Sequence, residues 1–81
     1  MFDVYVLKSV VNNWFYVGLS QDKTIRLDQH NKGKVRSTRK FKPFIIIYSK
    51  KFTSRLEARD FEKFLKIRFN KEKLLKKLDY I

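Results

Sequence analysis

Apolar positions recur along this chain with two different spacings, and the switch between them outlines the elements. Residues 3–8 and 14–19 are rich in Val, Phe, Trp and Tyr, the side chains that fit a pleated, half-buried surface, and read as two strands. Asn12-Asn13 between them is a turn signal, so the pair reads as a hairpin. In an antiparallel hairpin Tyr5 and Tyr16 lie on neighbouring strands and can face the same side. Residues 22–31 read as a helix, with Ser20 and Asp22 as candidate N-caps and Gly33 as its C-terminal stop. Arg26 and His30, four residues apart, project from one face of it.

The run Phe44 to Tyr48 reads as a third strand, led by Pro43. It is apolar on both faces, which predicts a strand that is central or covered by a helix. A second helix begins at Ser54, with Leu56, Phe61, Phe64, Leu65 and Phe69 as its apolar stripe and Arg and Lys opposite. Asn70 reads as a break and cap, and Leu74, Leu75 and Leu78 fit a short final helix. The order β-β-α-β-α-α predicts an α+β fold: a small three-stranded antiparallel sheet flanked by helices. Gly occurs twice and Pro once, with no linker, repeat or low-complexity tract, so residues 1–81 read as one domain.

Composition changes the picture in two ways. The chain has no cysteine, which removes disulfides and thiolate zinc sites and leaves stability to aromatic and aliphatic packing. That usage, with no secretory pattern at the N-terminus, suits the cytoplasm. No apolar run approaches the ~20 residues of a membrane span. Charge is the second change. Twenty Lys and Arg against eight Asp and Glu give a net charge of +12, which calls for a polyanionic partner and makes nucleic acid the simplest one. The densest stretch holds Lys32, Lys34, Arg36, Arg39, Lys40 and Lys42. It lacks the apolar spacing of a membrane-surface helix, so lipid is not the expected partner. No protein partner is evident in the sequence.

Five residues carry candidate chemistry, and each has an ordinary structural reading beside it. Tyr5 and Tyr16 are normal strand residues or phenols that accept or relay a proton. A free phenol titrates near ~10, so such a role needs a cation nearby. Arg26 is a surface cation or a fork that holds a phosphate. His30, the only histidine, is a helix-end residue favoured by the dipole, a proton shuttle or a phosphate donor. Ser54-Arg55-Leu56-Glu57 is a capping-box pattern, so Glu57 bonds back to the Ser54 amide or offers a hard oxygen to Mg²⁺.

Taken together, the order and spacing of these residues resemble the GIY-YIG nuclease superfamily, and most closely its small, stand-alone single-domain members. Val4-Tyr5-Val6 stands for the first motif and Tyr16-Val17-Gly18 for the second. Arg26 to Gly33 is similar to the family's arginine-to-histidine-asparagine-glycine stretch, and residues 34–43 resemble the segment that small members place before the third strand. Tyr48 to Phe52 leads into the helix of Glu57 much as in that group. Two positions depart from the pattern: Val4 replaces the first motif's glycine, and Leu19 stands where excision-repair members carry a lysine.

The resemblance implies a metal-dependent endonuclease that hydrolyses DNA phosphodiester bonds. One motif tyrosine, Tyr5 or Tyr16, would be the general base, and Arg26 would contact the scissile phosphate. His30 would stand near the active site, and Glu57 would hold one Mg²⁺, or Mn²⁺ in its place. Contacts from the basic segment go mainly to phosphate, which implies low sequence specificity. The five residues should then converge on one basic, concave surface where the hairpin meets the two main helices. Two other readings fit the composition: a non-cleaving nucleic-acid-binding module on the same fold, and a small basic protein associated with RNA or the ribosome.

Overall fold

A computed structural model describes residues 1–81. Strand β1 (Phe2–Ser9) is the centre of the sheet, with β2 (Phe15–Ser20) on one side and β3 (Phe44–Phe52) on the other, both antiparallel to it. The alternation of β1 explains its place. Val4 and Val6 face one side and Tyr5 and Leu7 the other, and none is more than 1% exposed. A strand with apolar side chains in both directions is stable only when both faces are covered.

On one face, Val4, Val6, Phe15 and Val17 pack against Ala58, Leu65 and Leu75 of the C-terminal helices α2 (Arg55–Lys66) and α3 (Arg68–Lys77). On the other face, Tyr5, Leu7 and Phe44 form a smaller cluster with Trp14, Tyr16, Leu27, Phe41 and Ile46, beneath α1 (Lys23–Asn31) and the segment that follows it. Both motif tyrosines therefore lie on the α1 side of the sheet. The elements occur in the order β-β-α-β-α-α, an α+β fold. No helix is long and apolar enough to cross a membrane.

Local chemistry sets the boundaries. Asp22 is the N-cap of α1, its Oδ1 accepting from the Thr24 and Ile25 amides at 2.9 and 3.2 Å. Ser20 is not the cap; its hydroxyl accepts from the Asp22 amide instead. Gly33 follows α1 with φ of +75°, a left-handed conformation that favours glycine. The hairpin connection is longer than a two-residue turn. Ser9 Oγ organises it by accepting from the amides of Val11 and Asn12.

Three expectations need correction. The third strand runs on past Tyr48 to Phe52; of the two expected placements, central or covered by a helix, it takes the second, as an edge strand with α1 against one face and α2 against the other. A bulge at Ile47 shifts its register, so that Val6 faces Tyr48 and Leu7 faces Ile46. The second and third helices part at Ile67, not at Asn70. Asn70 lies inside α3, but its side-chain amide reaches back to cap the Phe64 carbonyl at 3.0 Å. Finally, the stripe of α2 is centred on Ala58 and Leu65, while Leu56 and Phe69 are 71% and 73% exposed.

Candidate active site

The α1 face gathers four of the five residues singled out by the sequence. Tyr5 and Gly18 are direct partners across β1 and β2, and the Tyr5 phenol lies over Gly18. A Cβ at position 18 would sit 2.4 Å from both Cζ and the hydroxyl oxygen of Tyr5. Glycine at 18 is thus a steric requirement of the tyrosine beside it.

His30, in the last turn of α1, is fully buried and meets both tyrosines. The Tyr5 hydroxyl is 3.1 Å from its Nε2, and the Tyr16 ring centroid is 5.1 Å from that of His30. His30 Nδ1 is 2.8 Å from Thr38 Oγ1, and the Thr38 hydroxyl donates to the Val35 carbonyl. We assign the direction of the chain from that last bond. Thr38 has given its only proton to Val35, so its oxygen accepts from Nδ1–H. Nε2 is then the acceptor, and Tyr5 donates to it. Burial, reinforced by the nearby Arg26 charge, lowers the His30 pKa to about 4, so the ring is neutral at pH 7.

The same surroundings keep the proton on Tyr5. Burial raises its pKa to about 12, and the charge an ionised Tyr16 would carry adds to the rise. Hydrogen bonding and charge from Arg26 oppose it. Tyr16 is half-buried, and its hydroxyl forms no hydrogen bond within the protein. The two phenols are therefore not equivalent: one is a buried donor to histidine, the other reaches solvent.

Arg26 lies on α1 and is held by Gln29, whose Oε1 accepts from Nη1 at 2.8 Å. Both line a hollow of about 470 Å³ between the end of β2, the start of α1 and the first turn of α2. Arg55 of α2 lines the same hollow, giving it two guanidinium groups from different helices. Arg55 carries no motif signal; its place depends on how α2 crosses the sheet. The largest cavity, about 530 Å³, lies elsewhere, between Trp14 and α3.

No hydrogen bond or ion pair joins Glu57 to this cluster. It is exposed in the first turn of α2, and its amide donates to Ser54 Oγ at 3.3 Å, so the Ser54 half of the capping box is formed. On a helix of 3.6 residues per turn, Glu57 points well away from Arg55, two residues earlier. Glu62, seven residues after Arg55, returns to the Arg55 flank. Its side chain is only 15% exposed, and it is the one carboxylate whose charge reaches the Tyr5 phenol. Lys66 pairs with it at 3.1 Å. No group of three or more His, Cys, Asp or Glu is assembled anywhere in the chain. A cation beside this cluster would have Glu62 as its nearby carboxylate and water to complete its shell, not an all-protein cage.

The basic segment follows the C-terminal end of α1 on the same side of the sheet. Lys32 is paired with Asp28 at 2.8 Å. Lys34, Arg36, Arg39, Lys40 and Lys42 are exposed and form no salt bridge. A 3₁₀ turn at Arg39–Phe41 shapes the segment, and Phe41 anchors it by stacking on Trp14 at 4.1 Å. Thr38, fully buried among these cations, joins the segment to His30.

Known proteins agree with this architecture. No curated protein matches the chain. It is similar to the UPF0213 protein BH0048 from Bacillus halodurans, whose solution NMR structure shares 31% sequence identity, covers 94% of this chain and 84% of its own, and superposes with a TM-score of 0.57. The model of the GIY-YIG catalytic domain matches residues 1–77. Two tyrosines from paired strands, a histidine and an arginine from the first helix, and that match together place this chain in the GIY-YIG family, with its nuclease-type fold.

Proposed function

We propose that this protein is a metal-dependent endonuclease that hydrolyses DNA phosphodiester bonds with low intrinsic sequence specificity. The observation that carries this reading is the convergence of Tyr5, Tyr16, Arg26 and His30 beside a hollow lined by Arg26 and Arg55, with the Glu62 charge reaching the same phenol. Paired guanidiniums suit a phosphodiester, since each presents a planar fork to its oxygens. The unpaired cations of residues 34–42 extend the positive surface along a nucleic-acid backbone.

The roles divide by environment. Arg26, held by Gln29, and Arg55 fix the scissile phosphate and stabilise the charge that grows on it. Tyr16, with its free hydroxyl, orients the attacking water and, having passed its own phenol proton to solvent beside the Arg26 cation, takes the water's proton as the phenolate. Tyr5 keeps its own proton on the bond to neutral His30 and holds the floor of the site rigid. Glu62 is the residue we assign to the cation, in place of Glu57. A bound Mg²⁺ or Mn²⁺ supplies Lewis-acid stabilisation of the leaving oxygen.

The direct test is cleavage of plasmid, nicked, branched and single-stranded DNA with Mg²⁺ or Mn²⁺ and with chelator, beside Arg26→Ala. Cleavage that needs the cation and is lost in Arg26→Ala supports the proposal. DNA binding without cleavage under every cation would favour the non-cleaving module, a reading supported by the near-complete burial of Tyr5. Preferential binding of RNA would favour the RNA-associated protein.

A further inference from the structure

The far side of α2 carries an aromatic row that the proposed reaction does not use. Phe52 at the end of β3 packs on Phe61 of α2 with ring centroids 5.4 Å apart, and Phe61 stacks on Phe64 at 6.0 Å and 14°. Phe64 ends the row with half of its surface exposed. Lys50 Nζ lies 5.5 Å from the Phe52 ring centroid and 5.1 Å from that of Phe61. Beyond Phe64 the row opens into a groove of about 280 Å³ lined by Phe61, Phe64, Asn70, Lys73 and Lys77. Lys50, Lys73 and Lys77 form no salt bridge. Asn70 holds the groove in shape through its bond to the Phe64 carbonyl.

We propose that this row binds single-stranded DNA, with unpaired bases stacking on Phe64 and Phe61 and phosphates meeting Lys50, Lys73 and Lys77. Aromatic faces flanked by unneutralised cations are the elements of a single-strand platform, because every base has a π-face and every nucleotide a phosphate. A duplex keeps its base faces stacked internally and cannot use the rings. A second copy of this chain is a poor occupant, since it brings the same lysines and the same net charge of +12 to the contact. Glu57 lies seven residues before Phe64 and so on the same flank, about two helical turns from it.

The row and the hollow lie on opposite flanks of α2, one helix diameter apart, about 10–12 Å. A duplex at the hollow and a single strand on the row would then engage one molecule together. This step rests on the nuclease reading and predicts preference for duplexes that carry a single-stranded branch. Binding of a single strand to the row does not rest on it.

The experiment measures anisotropy of labelled oligo-dT, oligo-rU and a DNA duplex of equal length, in chelator so that no strand is cut. Wild type is compared with Phe64→Ala, Phe64→Leu and the pair Lys73→Ala/Lys77→Ala. Phe64→Ala should weaken oligo-dT binding about fivefold or more, the loss of one stacked base, and leave duplex binding unchanged. Phe64→Leu, which keeps apolar bulk and the fold, should lose nearly as much. The lysine pair should weaken oligo-dT binding and lower its salt slope. Unchanged oligo-dT binding in both Phe64 variants overturns the proposal, and so does an equal loss for duplex and single strand. Tighter binding of oligo-rU than oligo-dT overturns the assignment to DNA. Self-association of the wild type abolished by Phe64→Ala would give the surface to a second copy. Failure of the nuclease reading looks different: oligo-dT would still bind, and no DNA would be cleaved in Mg²⁺.

Discussion

The hydroxyl of Tyr5 donates to Nε2 of His30 across 3.1 Å, and this bond decides what both residues can do. A histidine that accepts from tyrosine on one nitrogen and donates to Thr38 on the other has no free lone pair and no spare proton. It is a fixed strut rather than a shuttle. The tyrosine beside it keeps its proton, and in the proposed reaction the role of proton acceptor passes to Tyr16.

The strut depends on Thr38. Thr38→Val removes the acceptor for Nδ1–H and should cost about 1–3 kcal/mol, the penalty of a buried unpaired donor. Imidazole ¹⁵N spectra should show the Nδ1–H tautomer in wild type and in Thr38→Ser. In Thr38→Val a substantial share of Nε2–H should appear, with a lower kcat. An unchanged tautomer in Thr38→Val would mean that something other than Thr38 orients the ring.

The depressed pKa of His30 makes stability depend on pH. Its folded value of about 4 lies below the ordinary 6.5, so the unfolded chain binds the proton first as pH falls. The contribution is complete above pH ~6.5 and is lost as pH drops through the folded value of about 4. The loss is on the order of 3 kcal/mol for a shift of this size. Tyr5 acts at the other end. Its value, pushed up to about 12, removes stability as pH rises from ~10 through that value. Urea denaturation against pH should show the acid slope in wild type and a flatter one in His30→Gln. Equal slopes would contradict a buried, neutral histidine.

Gly18→Ala places a methyl group against the Tyr5 phenol, which has buried neighbours on its other sides. Overpacking of this kind costs about 1–3 kcal/mol and should move the phenol off His30. The protein should still fold, with a lower melting temperature and a large loss of cleavage. Wild-type activity in Gly18→Ala would show that the Tyr5 position is not needed.

Much of this was legible because it is encoded locally. The Asp22 cap and the Gly33 stop mark the first helix within a dozen residues, and with them Arg26 and His30. The hairpin sets Tyr5 and Tyr16 side by side in the same way. The misread parts depend on distant packing. Ile67 and Phe69 continue the apolar spacing through the real break, and nothing local shows that Asn70 caps α2 from within α3. The carboxylate is a separate matter: the S-x-x-E signal at Ser54 is strong and local and points to Glu57, while the proposed reaction assigns the cation to Glu62. The place of Glu62 follows only from Ala58 and Leu65 docking on β1 and β2, which turns one flank of α2 toward Tyr5. Thr38 was hidden by the charges around it.

The basic segment should act by neutralising phosphates. Replacing Lys34, Arg36 and Arg39 with Ala should weaken duplex binding and lower the log–log salt slope by about one unit for each phosphate left without its cation. Lys32→Ala should change the slope less, because Asp28 already offsets its charge at 2.8 Å. Titrations at several salt concentrations measure this. A triple variant with the wild-type slope would show that the segment lies outside the nucleic-acid surface.

The carboxylate that holds the cation is settled by two isosteric variants. Glu62→Gln keeps shape and hydrogen bonding but removes the charge a hard cation needs. It also breaks the pair with Lys66, which is more than half exposed, so the effect on stability should be small. Cleavage should fall to background while DNA binding in chelator is kept or tightened, since a negative charge has left a phosphate-facing flank. Glu57→Gln should behave as wild type in cleavage, binding and stability, because the Ser54 cap needs only the Glu57 amide. The measurements are initial cleavage rates at matched Mg²⁺, with urea denaturation of each variant. If Glu57→Gln is inactive and Glu62→Gln cuts normally, the metal belongs to the first turn of α2 and the assignment to Glu62 is wrong.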